Sequence, residues 1–156
     1  MVKFLYKRLR KGAGRMEAKL LAFLHRARRM HSAQGGGPGG EFADGPYLYR
    51  DDRLGEGPFA GRESLWTEGR PVWAMNYLGR ALGSAAPADF LQEVLLAAPA
   101  DWPWPGPAAY EKGPYVYRCA VQGDPAWFFG YAEVLKDGVR VWEYAFHGGG
   151  LTGEQA

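Results

Sequence analysis

The sequence predicts an α+β domain that uses one unit twice, a helix followed by three antiparallel strands, with both helices packed on the sheet. The first observation is an internal repeat, because residues 46–79 and 114–148 are identical at eleven positions once one residue is inserted in the second copy. The second is a content of 23 glycines and 11 prolines, which favours short strands and tight turns. The third is a stripe of apolar residues at helical spacing before each copy.

The repeated positions are residue types that shape strands and turns. Tyr-x-Tyr-Arg begins at Tyr47 and again at Tyr115, and Val-Trp recurs at residues 72–73 and 141–142. Tryptophan, tyrosine and glycine at matched spacing indicate a duplication, so we expect a pseudo-twofold axis to relate the two units.

The chain is long enough for one domain, with 156 residues of which 47% are apolar. We expect this domain to span residues 16–150, with repeat one at 16–80 and repeat two at 87–149. Residues 1–15 are predicted to be a basic flexible tail, and residues 151–156 a short second tail.

Charge is distributed unevenly along the chain. Residues 1–15 carry six bases and no acid, so 13 of the 19 bases and all 17 acids belong to the rest, whose net charge is −4. We therefore expect no binding of nucleic acid by the body of the domain. The tail has apolar residues between its bases, and an arm for a membrane surface or for nucleic acid is the alternative to a flexible segment.

Composition argues against several other classes of protein. Cys119 is the single cysteine, which excludes an internal disulfide and a cysteine-rich zinc site. No stretch of about 18 apolar residues and no signal-peptide core is present, so we expect a cytoplasmic protein that does not bind a membrane. No group of His, Asp and Glu has a recognised metal spacing, and we predict neither a metal nor a cofactor.

The first unit begins with a helix at about residues 16–31, where Leu20, Leu24 and Ala27 form the apolar stripe and Arg28 is predicted to face away from it. A glycine-rich run at residues 35–40 ends this helix and predicts a loop. Three strands are then predicted, at residues 47–50, 59–66 and 72–78.

The second unit repeats this order. Its helix is predicted at residues 88–98, where Pro99 stops it. Residues 101–107, Asp-Trp-Pro-Trp-Pro-Gly-Pro, predict a polyproline-like connector whose tryptophans pack onto the sheet. The strands of this unit are predicted at residues 115–120, 128–135 and 139–147.

Two acid-glycine pairs, Glu68-Gly69 and Asp137-Gly138, predict two-residue type I′ hairpin turns. Straight pairing away from these turns places Glu63 opposite Ala74, and Glu143 opposite Ala132. The same pairing would put Phe128 on the face that carries Glu143, and Phe129 on the other face.

The faces defined by this register give a candidate ligand site. Glu63 and Asn76 share one face of the first copy, and Glu143 and His147 share the matching face of the second. A twofold axis could bring all four into a groove beside Gly61 and Gly130, where the carboxylates would bind a cation or polar ligand, or act as acid and base. The alternatives are a solvated sheet face and a dimer face.

The opposite face is aromatic and is expected to be core beneath the helices, with an apolar ligand cavity as the alternative. It carries Trp73, Met75 and Tyr77 in the first copy, and Trp73 and Tyr77 would be walls of the candidate site. Arg50, repeated as Arg118, is predicted to stack on tyrosine, to pair with Asp51 or Glu63, or to bind an anion. His25 and His31 are expected to be exposed, and no catalytic residue is assigned.

Three motifs carry a family resemblance. They are Tyr-Arg-Asp at residues 49–51, Phe-Ala-Gly-Arg-Glu at 59–63 and Pro-Val-Trp-Ala-Met-Asn-Tyr-Leu-Gly at 71–79. Over about residues 17–150 the chain resembles a bacterial domain of unknown function, numbered 5680. Members of that family stand alone or are attached to helix-turn-helix regulators, so the resemblance implies an effector-sensing or accessory role.

Three functional hypotheses follow. The leading one is a non-catalytic module that binds or senses a small molecule at a site between the repeats. The second is a small enzyme of the hydrolase or isomerase type that uses Glu63 and Glu143 as acid and base. The third is an interaction module that forms a homodimer through the polar face of its sheet.

Overall fold

The computed structural model describes residues 15–33, 39–83 and 87–153. Residues 1–14 of the predicted tail, most of the predicted glycine-rich loop and residues 154–156 lie outside this range. Within the described residues the chain forms two α-helices and eight β-strands, in the order α1 (Ala18–Ala33), β1 (Gly40–Asp44), β2 (Tyr47–Leu54), β3 (Phe59–Thr67), β4 (Arg70–Ala81), α2 (Ala88–Leu96), β5 (Ala109–Lys112), β6 (Tyr115–Asp124), β7 (Trp127–Lys136) and β8 (Val139–Gly150).

The eight strands form one antiparallel sheet in the order β1-β2-β3-β4-β8-β7-β6-β5. The predicted α+β class is confirmed. Strands β1 to β4 and strands β5 to β8 each lie in sequence order, and the two groups join where β4 pairs with β8, with Asn76 opposite His147. Neither of the two described helices combines the length and the apolar composition that a membrane crossing requires.

Each half of the sheet contains one strand more than the three that were predicted. The additional strands, β1 and β5, are short and lie at the two edges of the sheet. Each enters a hairpin through a Gly-Pro pair, and Gly45 and Gly113 have positive φ angles of 58° and 57°. The glycine before each repeated Pro-Tyr pair was therefore a turn signal, and the sequence-based pattern began one residue too late to include it.

The two predicted type I′ turns are confirmed. Both central residues of each turn have positive φ angles, 51° at Glu68 and 77° at Gly69 in the first hairpin, and 50° at Asp137 and 79° at Gly138 in the second. The paired residues Thr67 and Arg70 flank the first turn, and Lys136 and Val139 flank the second.

The predicted register beyond the first turn is wrong, because the hairpin contains a β-bulge. Trp66 pairs with Pro71, but Leu65 pairs with Trp73, so Val72 is an extra residue in β4. Glu63 therefore lies opposite Met75 and not opposite Ala74. Since side chains alternate along a strand, this one-residue shift moves Glu63 to the face that carries the aromatic residues.

The second hairpin contains a bulge at the equivalent position. Leu135 pairs with Arg140, but Val134 pairs with Trp142, which leaves Val141 as the extra residue. Glu143 therefore lies opposite Glu133 and not opposite Ala132. In this half the shift moves Glu133 to the face that carries Glu143, away from Trp142.

Both helices pack on one face of the sheet, which we call the inner face. Phe23 of α1 stacks on Phe42 at a ring distance of 5.6 Å, and Phe90 of α2 stacks on Tyr115 at 5.1 Å. The aromatic residues predicted to be core lie on this face beneath the helices, as expected. The buried aromatic members are Trp73, Tyr77, Trp142 and Phe146, and Met75 is buried with them.

Gly61 and Gly130 were expected to leave space beside the candidate site, and the structure fills that space with aromatic rings. A β-carbon added to Gly61 would lie 2.4 Å from the Tyr77 hydroxyl oxygen, and one added to Gly130 would lie 2.0 Å from Phe146. Glycine is therefore required at both positions because a ring from the neighbouring strand covers the backbone.

Candidate functional site

Beneath the C-terminal half of α1 lies a buried group of charged and tyrosine side chains, which we call the polar clamp. Arg28 and His31 are three residues apart and so project from the same side of the helix. Asp51 of β2 and Glu63 of β3 are direct cross-strand partners on the inner face. The distance between one turn of the helix and the next therefore matches the distance between the two strands. Arg28 contacts Glu63, and His31 contacts Asp51.

Arg28 holds three parts of the fold together. It is 4% exposed, and its Nη2 and Nε atoms donate to Glu63 Oε2 at 2.7 and 3.1 Å. Its Nη1 atom donates to the carbonyl oxygen of Pro103 at 2.7 Å. Burial opposes the charge of Arg28, but the charge and hydrogen bonds of Glu63 outweigh this, and the pKa of Arg28 stays above its ordinary value. The guanidinium thus links α1, β3 and the connector.

Asp51 is the second carboxylate of the clamp. His31 Nε2 lies 3.0 Å from Asp51 Oδ2, and the Tyr77 hydroxyl donates to Asp51 Oδ1. The imidazole lies against β1, where a β-carbon added to Gly40 would be 2.2 Å from His31 Nδ1. Burial and then the nearby Glu63 charge raise the pKa of Asp51, although Tyr77 and His31 oppose this rise.

Two tyrosines complete the clamp. The Tyr49 hydroxyl donates to Glu63 Oε1 at 3.2 Å, in the same way that Tyr77 donates to Asp51. Burial raises the pKa of both tyrosines, and the neighbouring carboxylates raise it further, so both hydroxyls remain donors. Each carboxylate therefore contacts one nitrogen-bearing helix side chain, Arg28 or His31, and one tyrosine hydroxyl. Because these groups satisfy one another, the clamp is suited to locking α1 onto the sheet.

A second feature, which we call the connector cleft, lies at the other end of α1. Its volume is about 660 Å³. It is lined by Arg15, Met16, Ala18, Leu21, Ala22, Ala100, Asp101, Pro103, Trp104 and Pro125.

The walls of the connector cleft come from separate segments of the chain. Ala18, Leu21 and Ala22 lie three or four residues apart and so form one face of the first turns of α1. Trp104 packs edge-on against Phe128 at 5.7 Å, which confirms that this tryptophan of the predicted connector packs onto the sheet. Pro125 is fixed by its carbonyl oxygen, which accepts a hydrogen bond from Trp73 Nε1 at 3.0 Å.

The connector cleft and the polar clamp meet at Pro103. This residue lines the cleft, and its carbonyl oxygen is also an acceptor for Arg28. A molecule that occupies the cleft would touch the segment on which the buried guanidinium depends. The two features are therefore parts of one candidate site.

The model of a domain of unknown function (DUF5680) matches residues 51–151, about two thirds of the chain. The chain belongs to this family. The resemblance inferred from the motifs is thereby confirmed. Comparison with curated proteins and with solved structures found no match.

The region matched by the DUF5680 model begins within β2 and ends after β8. It includes Asp51 and Glu63 of the clamp, together with the connector and Pro125. The helix α1, which supplies Arg28 and His31, precedes it. The candidate site of this DUF5680 chain thus combines matched strands with a helix from outside the match.

Three of the sequence-predicted site residues lie on the inner face. Glu63 is a member of the polar clamp, Tyr77 is bonded to Asp51, and Trp73 is packed against Phe128 at 5.7 Å. Their ligand-binding role stays a prediction. The structure places them beneath α1 or in the aromatic core.

The other four predicted site residues lie on the opposite, outer face. Arg50 stacks over Trp66 at 4.9 Å, not over a tyrosine, and bonds to Glu41, not to Asp51 or Glu63. Glu143 bonds to Arg80 and Tyr131, and Asn76 and His147 are exposed neighbours. The expected groove containing both glutamates is wrong, because Glu63 and Glu143 lie on opposite faces.

Sequence reasoning missed Arg28 and His31 as members of the site. Both were expected to face solvent, but Arg28 is buried and the His31 side chain is 15% exposed. One signal was present, because Arg28 follows Leu21 by seven residues and Leu24 by four, which places it on the apolar stripe. A charged residue on such a stripe indicates a buried partner.

We expect the substitution Asp51→Asn to change how stability depends on pH. The folded-state pKa of Asp51 is raised, so its contribution to stability is present below the unfolded value of about 3.8 and is lost as pH rises through the folded pKa. The variant lacks this loss, so its free energy of unfolding should rise relative to the wild type as pH increases above 3.8. The total rise is about 1.4 kcal/mol for each unit by which folding raises the pKa of Asp51.

Urea unfolding between acid and neutral pH measures this difference. Asp52→Asn is the matched control, because Asp52 is the next residue and its side chain is 64% exposed on the outer face. A difference between Asp51→Asn and the wild type that is constant with pH would contradict the assignment.

Proposed function

We propose that this DUF5680 chain is a non-catalytic module that binds an apolar small molecule in the connector cleft. The observation that carries the proposal is the cleft itself. Its volume of about 660 Å³ falls within the range of about 300–1,000 Å³ typical of small-molecule sites. Most of its lining residues are apolar, and Arg15 and Asp101 are the ionisable ones.

The position of the cleft supports a site between the two units. Its α1 wall belongs to the first unit, whereas the connector and Pro125 belong to the second. The strand order, with two four-strand groups joined at β4 and β8, and the bulges at Val72 and Val141 support an origin by duplication. Under this proposal the ligand occupies the junction of the duplicated units.

The contact at Pro103 supports a sensing role. A ligand that shifts Pro103 changes the acceptor of a buried guanidinium, and Arg28 in turn positions α1 over β3. Binding would therefore alter how firmly α1 is held on the sheet. A ligand can change this equilibrium only by the difference in its affinity for the two states. This coupling is how the module would serve as a regulatory accessory.

The geometry gives less support to the enzyme hypothesis. A shared acid–base mechanism needs two carboxyl groups at one substrate, within about 10 Å of each other in known glycosidases. Glu63 is enclosed by Arg28 and Tyr49, whereas Glu143 bonds to Arg80 and Tyr131 on the outer face. A small-molecule-binding function requires no such pair.

The substitution Ala22→Trp is expected to abolish ligand binding by filling the cleft. Ala22 is an exposed residue in the cleft wall, so an indole there occupies ligand volume without entering the core. In a thermal-shift screen of metabolites, a ligand at 100 times its Kd should stabilise the wild type by about 2.7 kcal/mol, or roughly 5–10 °C. The variant should lose most of this shift, with affinity at least about a hundredfold weaker.

Ala88→Trp is the matched control, since Ala88 is an exposed alanine of α2 that does not line the cleft. This variant should respond to ligand like the wild type. The dye anilinonaphthalene sulfonate provides a second readout that does not depend on guessing the metabolite. Equal response of both variants to every compound that stabilises the wild type would contradict the assignment to this cleft.

A further inference from the structure

The outer face of the sheet carries an uncovered group of large apolar side chains, which we call the outer apolar patch. It consists of Leu78 on β4 and of Trp127, Phe129 and Tyr131 on β7. Their exposed fractions are 60, 68, 54 and 37%. No helix or strand in the described part of the chain covers them.

The register makes this patch continuous. Leu78 and Tyr131 both pair with Ala145 of β8, so they lie in one row across three strands. Phe129 and Asn76 both pair with His147 in the next row, and Trp127 follows in the row beyond. An aromatic side chain has about 150–250 Å² of surface, so the patch amounts to several hundred Å². Isolated exposed apolar residues need no explanation, whereas the largest contiguous apolar patch on a protein is often functional.

Most charged side chains around the patch are paired within the chain. Arg80 pairs with Glu143 at 2.6 Å and Arg140 pairs with Glu133 at 2.8 Å on one side. Arg62, beside Asn76, lies 3.8 Å from Asp52. A nucleic acid or an acidic peptide would find no excess of positive charge here. A surface with the same balanced charges meets no net electrostatic repulsion, which favours a second copy of the chain.

We propose that the outer apolar patch is the core of a homodimer interface in which the two sheets pack face to face. The arrangement of this face matches that of known protein interfaces, because apolar residues lie at its centre and paired charges at its rim. Exposed Asn76 and His147 lie beside Phe129 in the same row and would supply hydrogen bonds across the interface.

The area available also fits a dimer. Strands lie about 4.8 Å apart and rise about 3.4 Å per residue, so five strands and eight residues give a surface of roughly 650 Å². Stable interfaces bury about 600–1,000 Å² on each partner. The outer surface of β3, β4, β8, β7 and β6 is therefore large enough, whereas the four patch residues alone would be too small.

Light scattering coupled to size-exclusion chromatography of the full chain tests the proposal. We expect twice the monomer mass of 17.2 kDa at roughly 0.1 mM protein. Phe129→Glu should raise the dissociation constant at least about thirtyfold, because a charge would replace a central aromatic residue. Leu54→Glu is the matched control, since Leu54 is 77% exposed but lies outside the patch, and this variant should remain dimeric.

Leu78→Glu repeats the test from a different strand, in case Phe129→Glu fails to fold. Far-ultraviolet circular dichroism distinguishes a folded monomer from an unfolded chain. A monomeric wild type, or dimers that persist in both folded patch variants, would overturn the proposal. A wild-type monomer that binds phosphatidylserine vesicles through the patch would assign this face to a lipid surface, which also overturns it. Neither result bears on ligand binding in the connector cleft.

Discussion

Replacement of Arg28 by methionine is expected to lower the free energy of unfolding by about 3–5 kcal/mol, because it leaves the Glu63 carboxylate buried without its cation. Methionine retains much of the apolar volume of the arginine side chain, so the loss reports the charge and the hydrogen bonds. The Pro103 carbonyl oxygen would also lose its donor. Urea unfolding at neutral pH measures the change, and exposed Arg29→Met is the matched control.

The double variant Arg28→Met with Glu63→Gln separates the buried charge from general loss of packing. Glutamine keeps a carbonyl oxygen for the Tyr49 hydroxyl, which donates to Glu63 in the wild type. With no charge left unpaired, we expect the double variant to be more stable than Arg28→Met alone. The coupling energy should be about 1–3 kcal/mol. Additive losses would show that Arg28 and Glu63 contribute independently, contrary to the clamp.

The clamp also explains why the fold was easier to predict than the site. Strand positions follow from local signals, since the two acid-glycine turns and the repeated Tyr-x-Tyr and Val-Trp pairs are readable from the sequence. The clamp joins Arg28 to Glu63 across 35 residues and to Pro103 across 75. No local pattern encodes such a meeting. The one accessible signal was the position of Arg28 on an apolar stripe.

Face assignment failed for a different physical reason. The turns were identified correctly, and straight pairing from them is the simplest continuation. Val72 in one hairpin and Val141 in the other are extra residues that form bulges. Beyond each bulge the pairing is shifted by one residue, so residues that straight pairing places on the same face lie on opposite faces. Because the same error occurs in both repeats, the symmetry of the sequence could not reveal it. The predicted groove of Glu63 and Glu143 depended entirely on that register.

The connector cleft was beyond sequence reasoning altogether. Its walls are the start of α1, the proline-rich connector and the β6–β7 turn at Pro125, segments that are distant in sequence. The prediction that the connector packs onto the sheet is confirmed for Trp104. The small residues Ala18 and Ala22 line the cleft together with Pro103 and Trp104 of the connector. Small residues on a helix do not by themselves predict a gap.

Two adjacent phenylalanines in β7 provide the sharpest test of the observed register. Phe128→Ala is expected to lower the free energy of unfolding by about 3–5 kcal/mol, because it creates a cavity in the core. Phe128 is 1% exposed and packs against Trp73, Trp104 and Phe146. Phe129→Ala removes the same side chain from the outer face, where 54% of it is exposed, and should change stability by less than about 1 kcal/mol.

Both variants should be measured at a protein concentration low enough to keep the chain monomeric, because dimer formation would add a concentration-dependent term to stability. Straight pairing from Asp137-Gly138 places Phe129 with Trp142 and leaves Phe128 beside Glu143, so it predicts the reverse order of losses. The bulge at Val141 predicts that Phe128 is the core residue. A larger loss for Phe129→Ala would therefore support the straight register, in which Glu143 and Phe128 share a face. A larger loss for Phe128→Ala confirms the bulge at Val141, which places Phe128 and Glu143 on opposite faces of the sheet.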